Sequence, residues 1–322
     1  MLPGGFKQMN GLGARGEPFL FIIGFNDENP LIISPDKAEL QDIHFHIHTK
    51  SNSFSSSIPD KPFYFRKFPV SFEVYHDAFQ RVLGHIKTGN SYLVNLTFPT
   101  PLETNLTLSD IYFRSQARYK LLFKEKFVVF SPEKFVQIFN GTISSFPMKG
   151  TIDANLPGAE KTILSDPKEL AEHYTIVDLI RNDLSMVAKQ VRVEKFRYVE
   201  KIFTNYSSLL QVSSEITGIL PLAYEANIGE IIYRMLPAGS VSGAPKKKTL
   251  EIIRESEIYD RGYYTGIMGL FDGKNLDSGV MIRFIEQTSG GFIFKSGGGI
   301  TSFSNPDMEY KEMVDKVYVP FT

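Results

Sequence analysis

The chain has 322 residues, of which 42% are hydrophobic and 22% charged, which is ordinary for a folded globular protein. A formal net charge of −1 argues against nucleic acid or an anionic membrane as a partner. Cysteine is absent, which excludes disulfides, thiol catalysis and cysteine-based zinc sites and agrees with a reducing compartment. The first ten residues lack the pattern of a signal peptide, and no apolar run is long enough for a membrane span, so we expect a cytoplasmic protein.

The N-terminal part of the chain has the pattern of a small β-rich segment. Residues 18–24 are apolar and predict a buried strand, whereas residues 42–48 alternate and predict a half-exposed strand. Residues 49–62 are rich in Ser, Pro and Lys and predict a loop. We therefore expect an N-terminal segment, residues 1–60, packed on one compact main body, residues 61–322.

Three histidines, His44, His46 and His48, alternate along the second of these strands and share one of its faces. Three histidines on one face could bind a metal. The alternative, which we prefer, is a solvent-facing strand surface.

The main body reads as a succession of hairpins and helices. Periodicity predicts helices over 74–87, 108–118, about 166–189, 245–257 and from 306, and strands over 91–98, 127–149, 191–220, 266–271, 279–286 and 291–296. Asp166 can cap one helix, with Pro167 at its first position and Glu169 completing a capping box, and Asn305 can cap the last. Because hairpins outnumber strand-helix-strand units, we predict an α+β fold of large antiparallel sheets with helices outside.

Acidic residues stand out on two of the predicted helices. Glu257 shares the apolar face of its helix with Leu250 and Ile253, where an unpaired charge is costly, so either an ion pair or a metal must explain it. Glu309 and Glu312 are three residues apart on the last helix and project together, as a solvated face or as ligands. If the three carboxylates converge, their oxygens suit Mg²⁺.

A glycine run and an arginine near the C-terminus could bind an anion. Gly297, Gly298 and Gly299 follow a predicted strand and either form a plain turn or aim backbone N–H groups at an anion. Arg283 lies in a predicted strand with apolar residues on both faces, so it needs a carboxylate partner, which either the protein or a ligand can supply.

Lys149 ends the strand that follows the Asn140-Gly141 turn signal, where a hairpin of either common register brings it close to Glu133. One interpretation is a surface ion pair across two strands. The other is a desolvated lysine that acts as a nucleophile.

Taken in order, the motifs of this sequence resemble those of the chorismate-utilising enzyme family over about residues 75–320. The resemblance predicts the fold of that family, a sandwich of large antiparallel sheets with helices outside, and a shortened first segment. The matching segments are Ser131-Pro132-Glu133-Lys134-Phe135, Pro147-Met148-Lys149-Gly150-Thr151, Ala171-Glu172-His173, Val177-Asp178-Leu179-Ile180-Arg181-Asn182-Asp183, Ser240-Val241-Ser242-Gly243-Ala244-Pro245-Lys246, Tyr264-Thr265-Gly266, Ile282-Arg283, Gly297-Gly298-Gly299-Ile300 and Glu309-Tyr310-Lys311-Glu312.

The resemblance implies a role for each matching residue. Glu257 and Glu312, helped by Glu309, would hold Mg²⁺ on the ring carboxylate of chorismate. Glu172 would protonate the departing C4 hydroxyl, Lys149 would attack C2, and ammonia would then attack C4 and expel the lysine. Because an ionised Glu133 would keep Lys149 charged, we interpret Glu133 instead as a proton acceptor for the incoming amine or ammonia. The residues implied in binding the substrate carboxylates are Arg283, Tyr264, Ser242, Lys316 and the backbone of Gly297, Gly298 and Gly299.

Two positions indicate which reaction of the family to expect. Lysine at position 149 resembles the aminodeoxychorismate synthases, whereas anthranilate and isochorismate synthases carry alanine at the matching position. Leu93 stands where isochorismate-type enzymes carry a water-activating lysine and where aminating enzymes usually carry glutamine. We therefore expect chorismate and ammonia to give 4-amino-4-deoxychorismate.

Without cysteine the chain has no glutaminase nucleophile, so a separate glutamine amidotransferase is expected. Anthranilate synthase component I and a non-catalytic chorismate-binding homologue are the alternatives.

Overall fold

The protein is described by a computed structural model that covers residues 1–26, 29–53, 62–203 and 208–321. Helices α1 to α9 span Gly4–Ala14, Phe72–Lys87, Leu108–Arg114, Ala159–Ser165, Pro167–Ser185, Ile228–Met235, Gly239–Ser242, Lys246–Ser256 and Pro306–Asp315. Strands β1 to β18 span Phe19–Ile23, Leu31–Ile33, Ile43–Ile47, Lys50–Ser51, Phe65–Lys67, Leu93–Thr104, Tyr119–Phe123, Phe127–Ser131, Lys134–Phe139, Thr142–Ser145, Met148–Asp153, Lys189–Phe203, Ser208–Ile219, Gly243–Ala244, Ile267–Phe271, Leu276–Val280, Phe284–Thr288 and Gly291–Ile300.

The strands form two antiparallel sheets. In the first sheet the order is β11-β13-β10-β9-β16-β15-β1-β2, and β12 also pairs with β13. In the second sheet the order is β14-β6-β18-β17-β8-β7-β3-β4, and β5 also pairs with β6. Leu20 and Met268 of the first sheet are buried in one cluster with Phe45 and Tyr119 of the second. The apolar faces of the sheets therefore pack on each other, which confirms the predicted α+β fold with large antiparallel sheets.

Residues of the N-terminal segment take part in both sheets, since β1 and β2 belong to the first and β3 and β4 to the second. Helix α1 also packs closely on the later part of the chain. A Cβ atom at Gly13 would lie 2.0 Å from the carbonyl oxygen of Glu225, and one at Gly229 would lie 2.1 Å from that of Phe6. The boundary that we predicted near residue 60, with most of its loop, falls outside the described residues.

Several predicted elements are confirmed. Strand β1 is buried throughout, and in β3 the half-buried His44 and His46 alternate with buried apolar residues. The side chain of Asp166 accepts a hydrogen bond from the backbone of Glu169 at the start of α5, and that of Asn305 caps α9. Helix α5 ends four residues earlier than predicted, because the chain turns and Lys189 pairs with Ile219 in the sheet. No helix of the described part of the chain is long and apolar enough to span a membrane.

The hairpin around Asn140-Gly141 is confirmed, but it is shorter than predicted. Thr142 pairs with Phe139, and the ladder to β9 ends where Ser144 pairs with Gln137. Pro147, which has no backbone N–H for a sheet ladder, follows, and β11 pairs with β13 instead. The predicted cross-strand pairing of Glu133 with Lys149 is therefore wrong at the level of strand register.

The segment around Arg283 also differs from the prediction. The predicted single strand over 279–286 is two strands, β16 in the first sheet and β17 in the second. The chain crosses between the sheets at Met281–Arg283, and Arg283 has φ = 54°, in the left-handed region that bulky residues rarely adopt. Arg283 is thus set apart from both strands at the point of crossing.

Candidate active site

The glycine run lies in strand β18 rather than in a turn. Gly297, Gly298 and Gly299 pair with Thr97, Leu96 and Asn95 of β6. A Cβ atom at Gly297 would lie 2.2 Å from the carbonyl oxygen of Leu96, so the close approach of the strands needs glycine there.

Charged side chains surround this glycine strand. The position of a Cβ atom on Gly298 is 3.5 Å from Glu309 Oε2, 3.9 Å from Glu312 Oε1 and 3.9 Å from Lys316 Nζ. On Gly299, it is 3.5 Å from Lys149 Nζ and 2.9 Å from the side chain of Leu93. The glycines therefore place no side chain of their own between the charged groups of helix α9 and Lys149 of strand β11.

Lys149 is paired with Glu172 of α5. Its Nζ lies 3.0 Å from Glu172 Oε2, and the side chain of Glu172 is only 9% exposed. Burial lowers the pKa of Lys149, but the carboxylate of Glu172, with weaker help from Glu312 and Glu169, leaves that pKa above its usual value. Lys149 therefore carries a proton at rest, and Glu172 is the nearest group able to remove it.

Glu133 lies between β8 and β9 and contacts a different partner. The hydroxyl of Ser240 donates a short hydrogen bond to Glu133 Oε1. Burial raises the pKa of Glu133, although Ser240 and the positive charges of Lys149, Arg283 and Lys316 oppose that rise. The Coulombic effect of Lys149 indicates that the two predicted catalytic residues share the site even though their strands do not pair.

Arg283 and Lys316 form a cationic corner beside Glu133. The guanidinium of Arg283 lies 5.4 Å from the ring centroid of Tyr318, and its buried Nε has no hydrogen-bond partner among the residues that the structure describes. Lys316 Nζ donates to the carbonyl oxygen of Gly297 at 2.9 Å and lies 2.6 Å from Glu312 Oε1. Burial lowers the pKa of Lys316. This corner suits the carboxylate groups of an anionic ligand.

Tyr264 and Ser242 are both buried. Burial raises the pKa of Tyr264, so its hydroxyl stays protonated and can donate a hydrogen bond. The hydroxyl of Ser242 donates to the carbonyl oxygen of Ala238 at 2.9 Å and holds the turn of α7. Sequence reasoning singled out Ser242, whereas it is Ser240, two residues earlier, that contacts Glu133.

Glu257 follows helix α8 and forms a buried ion pair. Arg261 donates to Glu257 Oε1 at 2.6 Å and to Oε2 at 2.8 Å, and Thr97 donates to Oε1 from both its backbone and its hydroxyl. Of the two explanations that the sequence left open for this buried carboxylate, the structure shows the ion pair. As a metal ligand, Glu257 would have to share its carboxylate with Arg261.

We expect Glu257→Gln to lower the free energy of unfolding by about 3–5 kcal/mol, because it leaves the buried guanidinium of Arg261 without its counter-charge. Urea unfolding monitored by circular dichroism measures this. Glu251→Gln is the matched control, since Glu251 pairs with Lys248 on the exposed face of α8, where solvent screens the pair, and its loss should change the stability far less. Unchanged stability of Glu257→Gln together with weaker Mg²⁺ binding would instead support the metal role.

Among the described residues, no group of three or more acidic or histidine side chains is already arranged to hold a metal ion. The carboxylates nearest the glycine strand, Glu309 and Glu312, share the region with the ammonium group of Lys316. The structure therefore brings together Lys149, Glu172, Glu309, Glu312, Arg283, Lys316 and the glycines, with Glu133 beside them, and gives Glu257 and Ser242 partners of their own.

Comparisons with known proteins identify the family of this chain. The family described as chorismate binding enzyme matches residues 29–321. An uncharacterized PabA-like protein of Pasteurella multocida is 50% identical over 98% of this chain and 97% of its own length. Aminodeoxychorismate synthase component 1 of Bacillus subtilis is 31% identical over 78% of this chain and 55% of its own length. The crystal structure of anthranilate synthase component I from Streptococcus pneumoniae matches with a TM-score of 0.66 and 27% identity, over 80% of this chain and 59% of that one. The chain belongs to the chorismate binding enzyme family.

Proposed function

We propose that this protein aminates chorismate at C4 and forms 4-amino-4-deoxychorismate, the reaction of an aminodeoxychorismate synthase component I. The observation that carries the proposal is the position of Lys149. Its Nζ lies beside Gly299 on the floor of the site and is paired with a carboxylate that can take its proton. A similar aminodeoxychorismate synthase supports the assignment, whereas the similarity to anthranilate synthase leaves that reaction as the second candidate.

The two glutamates suit proton-transfer roles opposite to those that the sequence suggested. Because Glu172 contacts Lys149 at 3.0 Å, it suits the base that removes the lysine proton. Because burial raises the pKa of Glu133, that residue suits the acid that protonates the C4 hydroxyl. We assign Glu133 as the acid because burial raises its pKa, and Glu172 as the base because it is paired with Lys149.

The reaction then proceeds in two displacements. Neutral Lys149 attacks C2, both ring double bonds shift, and the C4–O bond breaks as Glu133 donates its proton, so that water leaves. Ammonia next attacks C4, both double bonds shift back, and the C2–N bond breaks so that Lys149 leaves as the amine. Glu133, now a carboxylate, accepts the proton that the new amine loses, which resembles the role first expected for it.

The carboxylates of Glu309 and Glu312 are hard oxygen donors and suit Mg²⁺. Mg²⁺ usually binds one or two protein carboxylates, and water and ligand oxygens fill its other positions. We propose these two residues as its ligands. Bound there, Mg²⁺ would neutralise the ring carboxylate of chorismate. Lys316, which neighbours Glu312, and Arg283 would hold the second carboxylate of the substrate.

We also propose that ammonia comes from a separate glutamine amidotransferase. The chain has no cysteine and therefore no glutaminase nucleophile. The side chain of Leu93 is 4% exposed and lies at Gly299, where it cannot activate a water molecule for addition to the ring. An apolar side chain at this point favours amination over hydration.

The test is to incubate the purified protein with chorismate, Mg²⁺ and ammonium and to identify the product by liquid chromatography and mass spectrometry. We expect 4-amino-4-deoxychorismate, with no product when ammonium is omitted. Anthranilate as the main product would favour the second candidate, and isochorismate would contradict the role given to Leu93. Bound chorismate without turnover would support a non-catalytic homologue.

A further inference from the structure

Two of the sequence motifs meet in a largely buried ion pair to which the proposed reaction gives no part. Asp183 ends the motif over residues 177–183, near the end of α5, and Lys246 ends the motif over residues 240–246, at the start of α8. Lys246 Nζ lies 2.9 Å from Asp183 Oδ2, and the two side chains are 19% and 12% exposed. Burial raises the pKa of Asp183 and lowers that of Lys246, and the charge of each partner opposes the shift of the other. Because a pair in such a place is costly, its other contacts show what it holds in position.

The ammonium group of Lys246 also closes a loop of the chain. It donates a hydrogen bond to the carbonyl oxygen of Met235, the last residue of α6, at 2.7 Å. The chain between these two residues, the 235–246 loop, therefore leaves the end of α6 and returns to the same point before α8 begins. Helix α7 lies within this loop, and Ser240 is its second residue.

Helix α7 begins against the carboxylate of Asp183. A Cβ atom at Gly239, the first residue of α7, would lie 3.1 Å from Asp183 Oδ2 and 2.9 Å from the side chain of Leu179. The carboxylate thus lies close to the ammonium group that closes the loop and to the backbone next to Ser240. Arg261 holds the other side of α7, where it donates to the carbonyl oxygen of Val241 at 2.9 Å.

Ser240 connects the 235–246 loop to the catalytic groups. Its hydroxyl donates a short hydrogen bond to Glu133 Oε1, and both residues line one cavity with Asp183 and Gly239. This hydrogen bond lowers the pKa of Glu133, whereas burial raises it. The charged or titratable groups that also interact with Glu133 are Lys149, Arg283, Lys316 and Tyr264. None of these four residues belongs to the loop, so the loop reaches Glu133 through Ser240.

We propose that Asp183 and Lys246 are positioning residues whose ion pair closes the 235–246 loop and holds the hydroxyl of Ser240 on the carboxyl group of Glu133. The inference rests on the proposed function for the part of Glu133 in proton transfer, and it connects two motifs of the chain to that transfer. When the pair is lost, the loop opens and Glu133 loses a donor that stabilises its charged form.

The first measurement is the pKa of Glu133, which needs no turnover. Carboxyl NMR of protein made with isotope-labelled glutamate reports it, and the resonance of Glu133 is the one that Glu133→Gln removes. We expect the double variant Asp183→Leu/Lys246→Met to raise the pKa of Glu133 by about one unit, a tenfold change in proton affinity. The double variant loses one charge of each sign, so the net charge is unchanged. Apolar residues in place of a buried ion pair commonly keep the fold.

Ser240→Ala tests the connection between the pair and Glu133. Alone, it should raise the pKa of Glu133 by about the same amount as the double variant. Added to the double variant, it should shift that pKa no further, because the hydrogen bond is already lost. Additive shifts would mean that the pair acts on Glu133 by another route and would overturn the inference. An unchanged pKa of Glu133 in the folded double variant would overturn it as well.

Asp178→Asn is the matched control. Asp178 belongs to the same motif and the same helix as Asp183, but it is exposed and pairs with Arg181 at 3.3 Å. We expect this variant to leave the pKa of Glu133 unchanged. A shift as large as that of the double variant would point to a general disturbance of α5 and would contradict a specific role for Asp183.

The second measurement is the pH profile of chorismate amination. We expect the part of the profile that Glu133 controls to move about one unit toward higher pH in the double variant and in Ser240→Ala, because a raised pKa moves the midpoint of titration upward. A lower kcat without this displacement would leave the pair a structural role and overturn the inference. If the pKa of Glu133 shifts as expected but the wild type forms no aminated product, the proposed function fails while the positioning of Glu133 stands.

Discussion

Lys149→Ala should reduce the formation of 4-amino-4-deoxychorismate by about 1000-fold or more, because the variant has no amine to attack the ring. The reaction is followed by product chromatography at saturating chorismate and ammonium. Mass spectrometry of the wild type, denatured during turnover, should reveal an adduct on the peptide that contains Lys149. Full activity of Lys149→Ala would remove the covalent step.

The control for this experiment is Lys149→Arg. Loss of Lys149 removes a positive charge 3.0 Å from the buried carboxylate of Glu172, and loss of such a charge can destabilise the protein by about 3–5 kcal/mol. Arginine keeps the charge beside Glu172 but cannot become neutral near pH 7. We expect a stable, inactive protein, which would separate loss of the nucleophile from loss of the ion pair. Substantial activity of Lys149→Arg would mean that only the positive charge matters.

Glu133→Gln is expected to lower kcat by about 100- to 10000-fold, the usual contribution of a general acid. The pH profile provides the sharper test. Burial raises the pKa of Glu133 above 4.5, and the acid must be protonated to act, so wild-type activity should fall as the pH rises through that raised value. Glutamine cannot titrate, so the residual activity of the variant should not fall in the same pH window.

Glu169→Gln serves as the matched control for Glu133→Gln. The charge of Glu169 acts on Lys149, but the proposed reaction gives Glu169 no proton to transfer. Its pH profile should keep the alkaline fall of the wild type. If both variants keep that fall, the titrating group is not Glu133, and Glu172 would again be the stronger candidate for the acid.

The elements that depend on neighbours in sequence were predictable. The Asn140-Gly141 turn, the cap at Asp166 and the cap at Asn305 involve residues at most three positions apart, so local chemistry decides them. The abundance of hairpins likewise predicted the antiparallel sheets. The predicted pairing of Glu133 with Lys149 is wrong because Pro147 ends the ladder to β9. Strand β11 pairs instead with β13, a strand some 60 residues later in the chain.

The sequence by itself determined the fold class and the family motifs, and it singled out Lys149 as the candidate nucleophile, because these rest on residue type and order. Only the tertiary structure decided the partners of the charged groups. In the structure, Lys149 pairs with Glu172 rather than with Glu133, and Glu257 pairs with Arg261. The hydroxyl of Ser240 donates a hydrogen bond to Glu133. The reason is physical: the charge state of a buried group depends on burial and on charges within a few ångströms, and the residues that supply them here lie 4 to 107 positions away in the chain.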